Sequence, residues 1–410
     1  MRAPIFNFLF LLMILSCNRE IQQAVSYKYP ESLELQCKSD PRHRYHYSKA
    51  ETGGDSLLLI VAIDAHADGR MAVNKIAQAC DFMPALIVAS DLIQNNFPGY
   101  EAAIDELIVD ARTRFGNLRK DVILAGFSGG ARMAQAYALK RKVQGLLMFG
   151  AGPWPNIPPC PFSAAVGTED FNFLELYQRP TLEQLSDADH LVDYFRGPHE
   201  WPPSEAIRDG LLFVCGTMSE NVIRAYEKRS HQLEARADSL RGNALFGWKC
   251  LQKAYQFSVD TEERENLKRR AGEFLADPVL EQALSKLEET FKEEVDNRKY
   301  YVDMTSSAPL AFWKDEIKRV EECAMLSSST YKIDECKRLK AFMGIMFYSR
   351  LNSLLQSDGD LDQIGTLCRA FGILEPDNAD MLHFKSEYFS RMNMGDSAGY
   401  YMDRASKEGL

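Results

Sequence analysis

The stretch Asp121-Val-Ile-Leu-Ala-Gly126-Phe127-Ser128-Gly129-Gly130-Ala-Arg-Met-Ala constrains this chain more than any other. A short apolar run ends in G-x-S-x-G and passes at once into a helix-forming segment, so the backbone must turn from strand to helix within a few residues. Glycines at 126 and 130 leave room for that turn, where a Cβ on either would crowd neighbouring backbone. The turn lifts the Ser128 hydroxyl out at the carboxyl edge of a sheet. It also leaves the Gly129 amide at a helix N-terminus, where it can receive developing negative charge. The same five residues also occur as a purely structural turn, and the flanking segments weigh against that here.

Short segments at 43–48, 57–63, 85–89, 122–125, 143–149, 162–166 and 191–195 read as strands, several apolar throughout, as burial on both faces requires. Helical patterns at 71–81, 100–115 and 129–140 lie between them. The alternation predicts a doubly wound, mostly parallel α/β sheet over residues 31–215, with ligands at the carboxyl ends of the strands. Composition changes near residue 215. Beyond it, amphipathic stretches at 220–240, 244–257, 261–275, 278–295, 313–325, 332–355, 360–371 and 380–392 predict an all-α domain over 216–410, built from helical pairs. Leu382, Ser386, Phe389, Ala398, Met402 and Ala405 follow the spacing of one tetratricopeptide repeat.

The amino terminus reads as a targeting segment. Met1-Arg2, an apolar run over 5–15 and Ser16-Cys17 match a secretory signal over 1–16. Ile14-Leu15-Ser16-Cys17 resembles a bacterial lipobox, which makes Cys17 the lipidated residue, 17–30 a tether, and the membrane a partner through the lipid. The location expected is the cell envelope. A net charge of −10 with no clustered basic face argues against a nucleic-acid partner. Setting Cys17 aside from nine cysteines leaves eight, loosely spaced, with no C-x-x-C pair and no zinc-like spacing. No metal and no cofactor is expected.

A serine hydroxyl needs a base to take its proton, and the base needs an orienting carboxylate. Four histidines follow Ser128: His190, His199, His231 and His383. His199 lies in a stiff Gly-Pro and Pro-Pro loop after the last strand, where the base belongs; His190 precedes that strand and is the alternative. For the acid, Asp170 stands just beyond the strand ending at Gly167, with Glu169 as competitor in the same turn. The loop after 57–63, Asp64-Ala-His66-Ala67-Asp68-Gly69-Arg70, should supply a second oxyanion donor beside Gly129, from the amide of Ala67 or Asp68. His66 reads as an organiser of that loop.

In this order, G-F-S-G-G-A-R-M-A, V-G-T-E-D-F-N and G-P-H-E-W-P-P resemble a branch of the α/β-hydrolase superfamily related to dienelactone hydrolases, polyhydroxybutyrate depolymerases and feruloyl-type esterases. Residues 37–47 are similar to that branch's opening strand, and 64–70 to its D-x-H-G-D-G loop. The resemblance implies Ser128 as nucleophile, Asp170 as acid, His199 as base and Gly129 as one oxyanion donor. It further implies a carboxylesterase-type activity on a small-molecule or polymer-borne ester or thioester. The family's glycine after the loop histidine is Ala67 here; a positive φ there would cost about 1 kcal/mol. Only the short segment 150–161 separates two strands where lipases insert a lid, so no large lid is expected and the cleft should be open. The alternative is a binding or scaffold lipoprotein with a weak or inactive site, using the helical domain to hold a protein partner.

Overall fold

The computed structural model describes residues 26–51, 56–95, 97–153, 156–187, 189–216, 219–240, 243–357 and 359–408. The expected signal segment, Cys17 and most of the tether lie outside the described residues. Among those residues, no helix is long and apolar enough to cross a membrane.

The strands are β1 (Leu33–Gln36), β2 (Arg44–Lys49), β3 (Leu57–Ile63), β4 (Ala85–Ser90), β5 (Leu118–Phe127), β6 (Gly145–Phe149), β7 (Phe162–Gly167) and β8 (His190–Phe195). They form one sheet in the order β1-β2-β4-β3-β5-β6-β7-β8. β2 pairs antiparallel with β1 and β4; every later pairing is parallel. That is the α/β-hydrolase topology. β3, β4, β6 and β7 are buried at every position, which explains why they read as continuous apolar runs.

Helices α1 (Gly69–Ala77), α2 (Tyr100–Phe115), α3 (Gly129–Ala138), α4 (Phe173–Leu176) and α5 (Ser204–Cys215) complete this half. α1 and α5 cover one face through Val73, Ile76, Ile207 and Leu211. α2 and α3 cover the other through Ile104, Leu107, Ala131 and Ala134. Crossovers therefore diverge between the neighbours β3 and β5, and a crevice opens at their carboxyl ends.

The remaining helices are α6 (Glu220–Ser239), α7 (Ala244–Phe257), α8 (Thr261–Leu275), α9 (Pro278–Met304), α10 (Leu310–Leu326), α11 (Thr330–Gln356), α12 (Leu361–Leu374), α13 (Ala379–Arg391) and α14 (Gly395–Lys407). The core does not divide at residue 215. Tyr226, Leu251, Phe257 and Leu267 of α6–α8 join the sheet face covered by α5, and Leu287 and Phe291 of α9 join the opposite face. A separate core begins at Tyr301 and gathers Trp313, Phe347 and Phe371. Cys323 and Cys336 form a disulfide between α10 and α11.

Several elements depart from the sequence reading. β1 is a further strand, Leu-Glu-Leu-Gln, mostly exposed and only four residues long. α4 and α5 fill 173–176 and 204–215, where no helix is predicted. α9 continues to Met304, past the predicted end at 295, and α14 forms the second helix of the pair over which Leu382 to Ala405 are spaced.

Candidate active site

β5 delivers Ser128 to the crevice beside β3. Ser128 adopts φ 54° and ψ −120°, the strained turn between strand and helix, and its amide donates to the Phe149 carbonyl at 2.7 Å. The glycines are needed by contact: a Cβ on Gly126 would lie 2.4 Å from the Gly130 carbonyl oxygen, and one on Gly130 2.2 Å from that of Ile63. Gly129 opens α3, so its amide has no partner within the helix.

β7 and β8 carry the other two groups. His199 Nε2 lies 2.8 Å from Ser128 Oγ, and His199 Nδ1 lies 2.8 Å from Asp170 Oδ2. Asp170 is fully buried; its other oxygen accepts the Asn172 amide at 2.8 Å. The imidazole sits between the rings of Phe127 and Phe171, with centroids at 4.8 and 4.5 Å. Three groups 29 and 71 residues apart thus meet within hydrogen-bonding reach.

The competing residues go elsewhere. His190 begins β8 at the far end from His199, paired with Asp187 at 2.9 Å and stacked on Phe162. The Glu169 carboxylate turns outward to Lys337 at 2.7 Å. His231 and His383 lie on α6 and α13.

The loop after β3 corrects one expectation. Ala67 has φ 60°, the strained conformation its Cβ disfavours, but its amide donates to the Asp64 carbonyl at 3.2 Å. The turn that makes φ positive also folds this N–H inward, so it is not the free oxyanion donor expected. The His66 amide is likewise held, by Asp64 Oδ1 at 2.8 Å. Asp68 caps α1 by accepting the Met71 amide at 2.8 Å, and its own amide has no hydrogen-bond partner among the described residues.

Sequence reasoning missed two participants. Asp64, fully buried, accepts the Trp201 indole N–H at 2.7 Å. Burial pushes its carboxyl up, but the hydrogen bonds from His66 and Trp201 outweigh this and hold it below the usual range. Asn95 lies against the Ser128 turn: a Cβ on Gly129 would fall 1.6 Å from its Oδ1. No local pattern marks Asn95 or pairs Asp64 with Trp201. The Trp in G-P-H-E-W was visible, its partner was not.

Glu34, His46 and Asp91 bring ligating atoms within 4.8 Å of one another, as do Cys37, His43 and Glu106, and His231, Glu234 and Glu263. None of these groups includes Ser128, Asp170 or His199.

No protein-family model matches this chain, and comparison with curated proteins gives no match. Similar solved structures include Est1E from Butyrivibrio proteoclasticus, at 11% identity over 45% of this chain and 99% of that one, TM-score 0.33. An alpha-beta serine hydrolase homologue from Coxiella burnetii is similar at 16% identity over 41% of this chain and 88% of that one, TM-score 0.29. The Pyrococcus furiosus esterase Pf2001 is similar at 12% identity over 42% and 84%, TM-score 0.28.

Proposed function

We propose that this protein is a serine-dependent ester hydrolase in which His199 deprotonates Ser128. The observation that carries the reading is the continuous relay from Ser128 Oγ through both nitrogens of His199 to buried Asp170, each step 2.8 Å. As Ser128 Oγ bonds to the carbonyl carbon of an ester or thioester, His199 Nε2 takes its proton. Asp170 holds the imidazole in the required tautomer and stabilises the imidazolium. The oxyanion rests on the Gly129 amide, with the Asp68 amide as second donor. His199 then gives its proton to the departing alcohol or thiol as the carbon–oxygen or carbon–sulfur bond breaks. Water, deprotonated by His199, attacks the acyl-serine and releases the carboxylic acid. No cofactor enters these steps.

The substrate proposed is an ester carried by a small molecule or by a polymer such as decorated polysaccharide, at the bacterial envelope, with the enzyme held there through lipidated Cys17. The short segment between β6 and β7 supports access for bulky material. One observation favours the second reading, a weakly active lipoprotein whose helical half binds a protein: the inward-turned Ala67 amide leaves fewer donors for the oxyanion.

Hydrolysis of p-nitrophenyl acetate by the mature protein, beside Ser128→Ala, His199→Ala and Asp170→Asn, separates the two. The enzyme reading expects turnover that falls by about a thousandfold or more in each variant. Wild-type turnover no greater than that of Ser128→Ala favours the scaffold.

A further inference from the structure

α9 and α11 reach the turn that carries Asp170. Arg298 Nη1 donates to the Phe171 carbonyl at 2.8 Å, and Arg338 Nη1 to the Thr168 carbonyl at 2.6 Å. A guanidinium from the helical half therefore grips the main chain on each side of Asp170. The two arginines share one carboxylate. Glu294, fully buried, pairs with Arg298 through Oε1 and with Arg338 through Oε2, the latter at 2.6 and 2.9 Å. Arg338 also lies over the Phe173 ring at 5.0 Å.

A buried Arg–Glu–Arg group is a poor device for stability alone, because desolvating three charges offsets most of what their pairing returns. Its geometry suits a different task. The planar guanidinium forks are rigid donors, and they hold two carbonyls that bracket the carboxylate. The opposite side of the turn is fixed by the histidine loop, since the Thr168 amide donates to Phe195 O at 2.8 Å and the Glu169 amide to Gly197 O at 3.0 Å. Asp170 sits between these two grips.

We propose that Arg298 and Arg338, joined through Glu294, are positioning residues that hold Asp170 in line with His199, making the helical half a working part of the hydrolytic site. This rests on the Ser128–His199–Asp170 reading above. Without Arg298 the Phe171 side of the turn loses its donor, and Asp170 is freer to drift from His199 Nδ1.

The test compares wild type, Arg298→Met and Arg298→Lys with p-nitrophenyl acetate, together with the low-field imidazole Nδ1 proton resonance of each. In Arg298→Met, Glu294 keeps Arg338 as partner. Folded Arg298→Met should lose about ten- to a hundredfold in kcat with little change in KM, and lose or broaden the low-field proton. Arg298→Lys should restore only part of kcat, because a single-nitrogen head on a flexible stem does not reproduce the planar fork that spans Phe171 O and Glu294. If Arg298→Met does not fold, Arg298→Lys still decides, since wild-type kcat there contradicts positioning. Unchanged kcat and proton resonance in a folded Met variant overturn the proposal. Should wild type itself lack turnover, the hydrolase reading fails separately, and the low-field proton alone reports whether Arg298 orders the Asp170–His199 pair.

Discussion

Trp201 donates its indole N–H to Asp64 at 2.7 Å, joining two loops that are 137 residues apart in sequence. The same carboxylate accepts the His66 amide at 2.8 Å, so Asp64 ties the loop carrying His199 to the loop after β3. Trp201→Phe keeps the aromatic contact with Phe127 but leaves a buried carboxylate oxygen without this donor. Urea unfolding at pH 7 should show a loss of about 1–3 kcal/mol. Asp64 is held below its ordinary range in the folded state, so its contribution is complete above that range and lost as pH falls through the folded value. Removing a donor raises the folded value, and the acid-unfolding midpoint of Trp201→Phe should move to higher pH.

Among the described residues, no carboxylate hydrogen-bonds the buried amine of Lys249. It donates to Gln252 Oε1 at 2.9 Å and lies over the Tyr194 ring, while neighbouring Lys253 takes both Asp193 and Asp209. Burial pushes its amine down to about 7, against 10.5 for a free lysine. Between those values the unfolded chain holds a proton that the folded chain does not, so stability rises with pH across that window. Lys249→Met should stabilise the protein, and by more at pH 6 than at pH 10, as read from urea midpoints at the two pH values. An equal gain at both would show that the amine is not titrating in the fold.

Asn95 fixes what residue 129 can be. A Cβ there would fall 1.6 Å from Asn95 Oδ1, so Gly129→Ala must displace the Asn95 side chain or the α3 N-terminus, where the proposed oxyanion donor lies. Turnover of p-nitrophenyl acetate by Gly129→Ala should drop by roughly a hundredfold. The double variant Gly129→Ala/Asn95→Gly should recover part of that loss, because the clash is with a side chain. Absence of any recovery would mean that the Cβ harms the turn itself.

How much of this was legible follows from the range of each interaction. Strands buried on both faces announce themselves locally, and β3 through β8 were read near their observed places. β1 was not, because Leu33–Gln36 is an exposed edge strand held by its ladder to β2. Ser128, His199 and Asp170 stood at motif positions tied to strand ends, so topology alone brings them close. Glu294, Arg298 and Arg338 belong to helices whose charges look like solvated faces, and only packing reveals that they meet residues 168 and 171. The Ala67 amide failed for a related reason: a positive φ was foreseeable, but the direction it turns the N–H depends on the whole 64–67 turn.

The central claim is that Ser128 is an activated nucleophile, and covalent labelling tests it most directly. The folded protein would be treated with a fluorophosphonate and the adduct located by peptide mass, beside Ser128→Ala and His199→Ala. A single adduct on the peptide containing Ser128, absent from both variants, is the predicted result. A folded wild-type protein that stays unmodified, or an adduct that persists in Ser128→Ala, contradicts it.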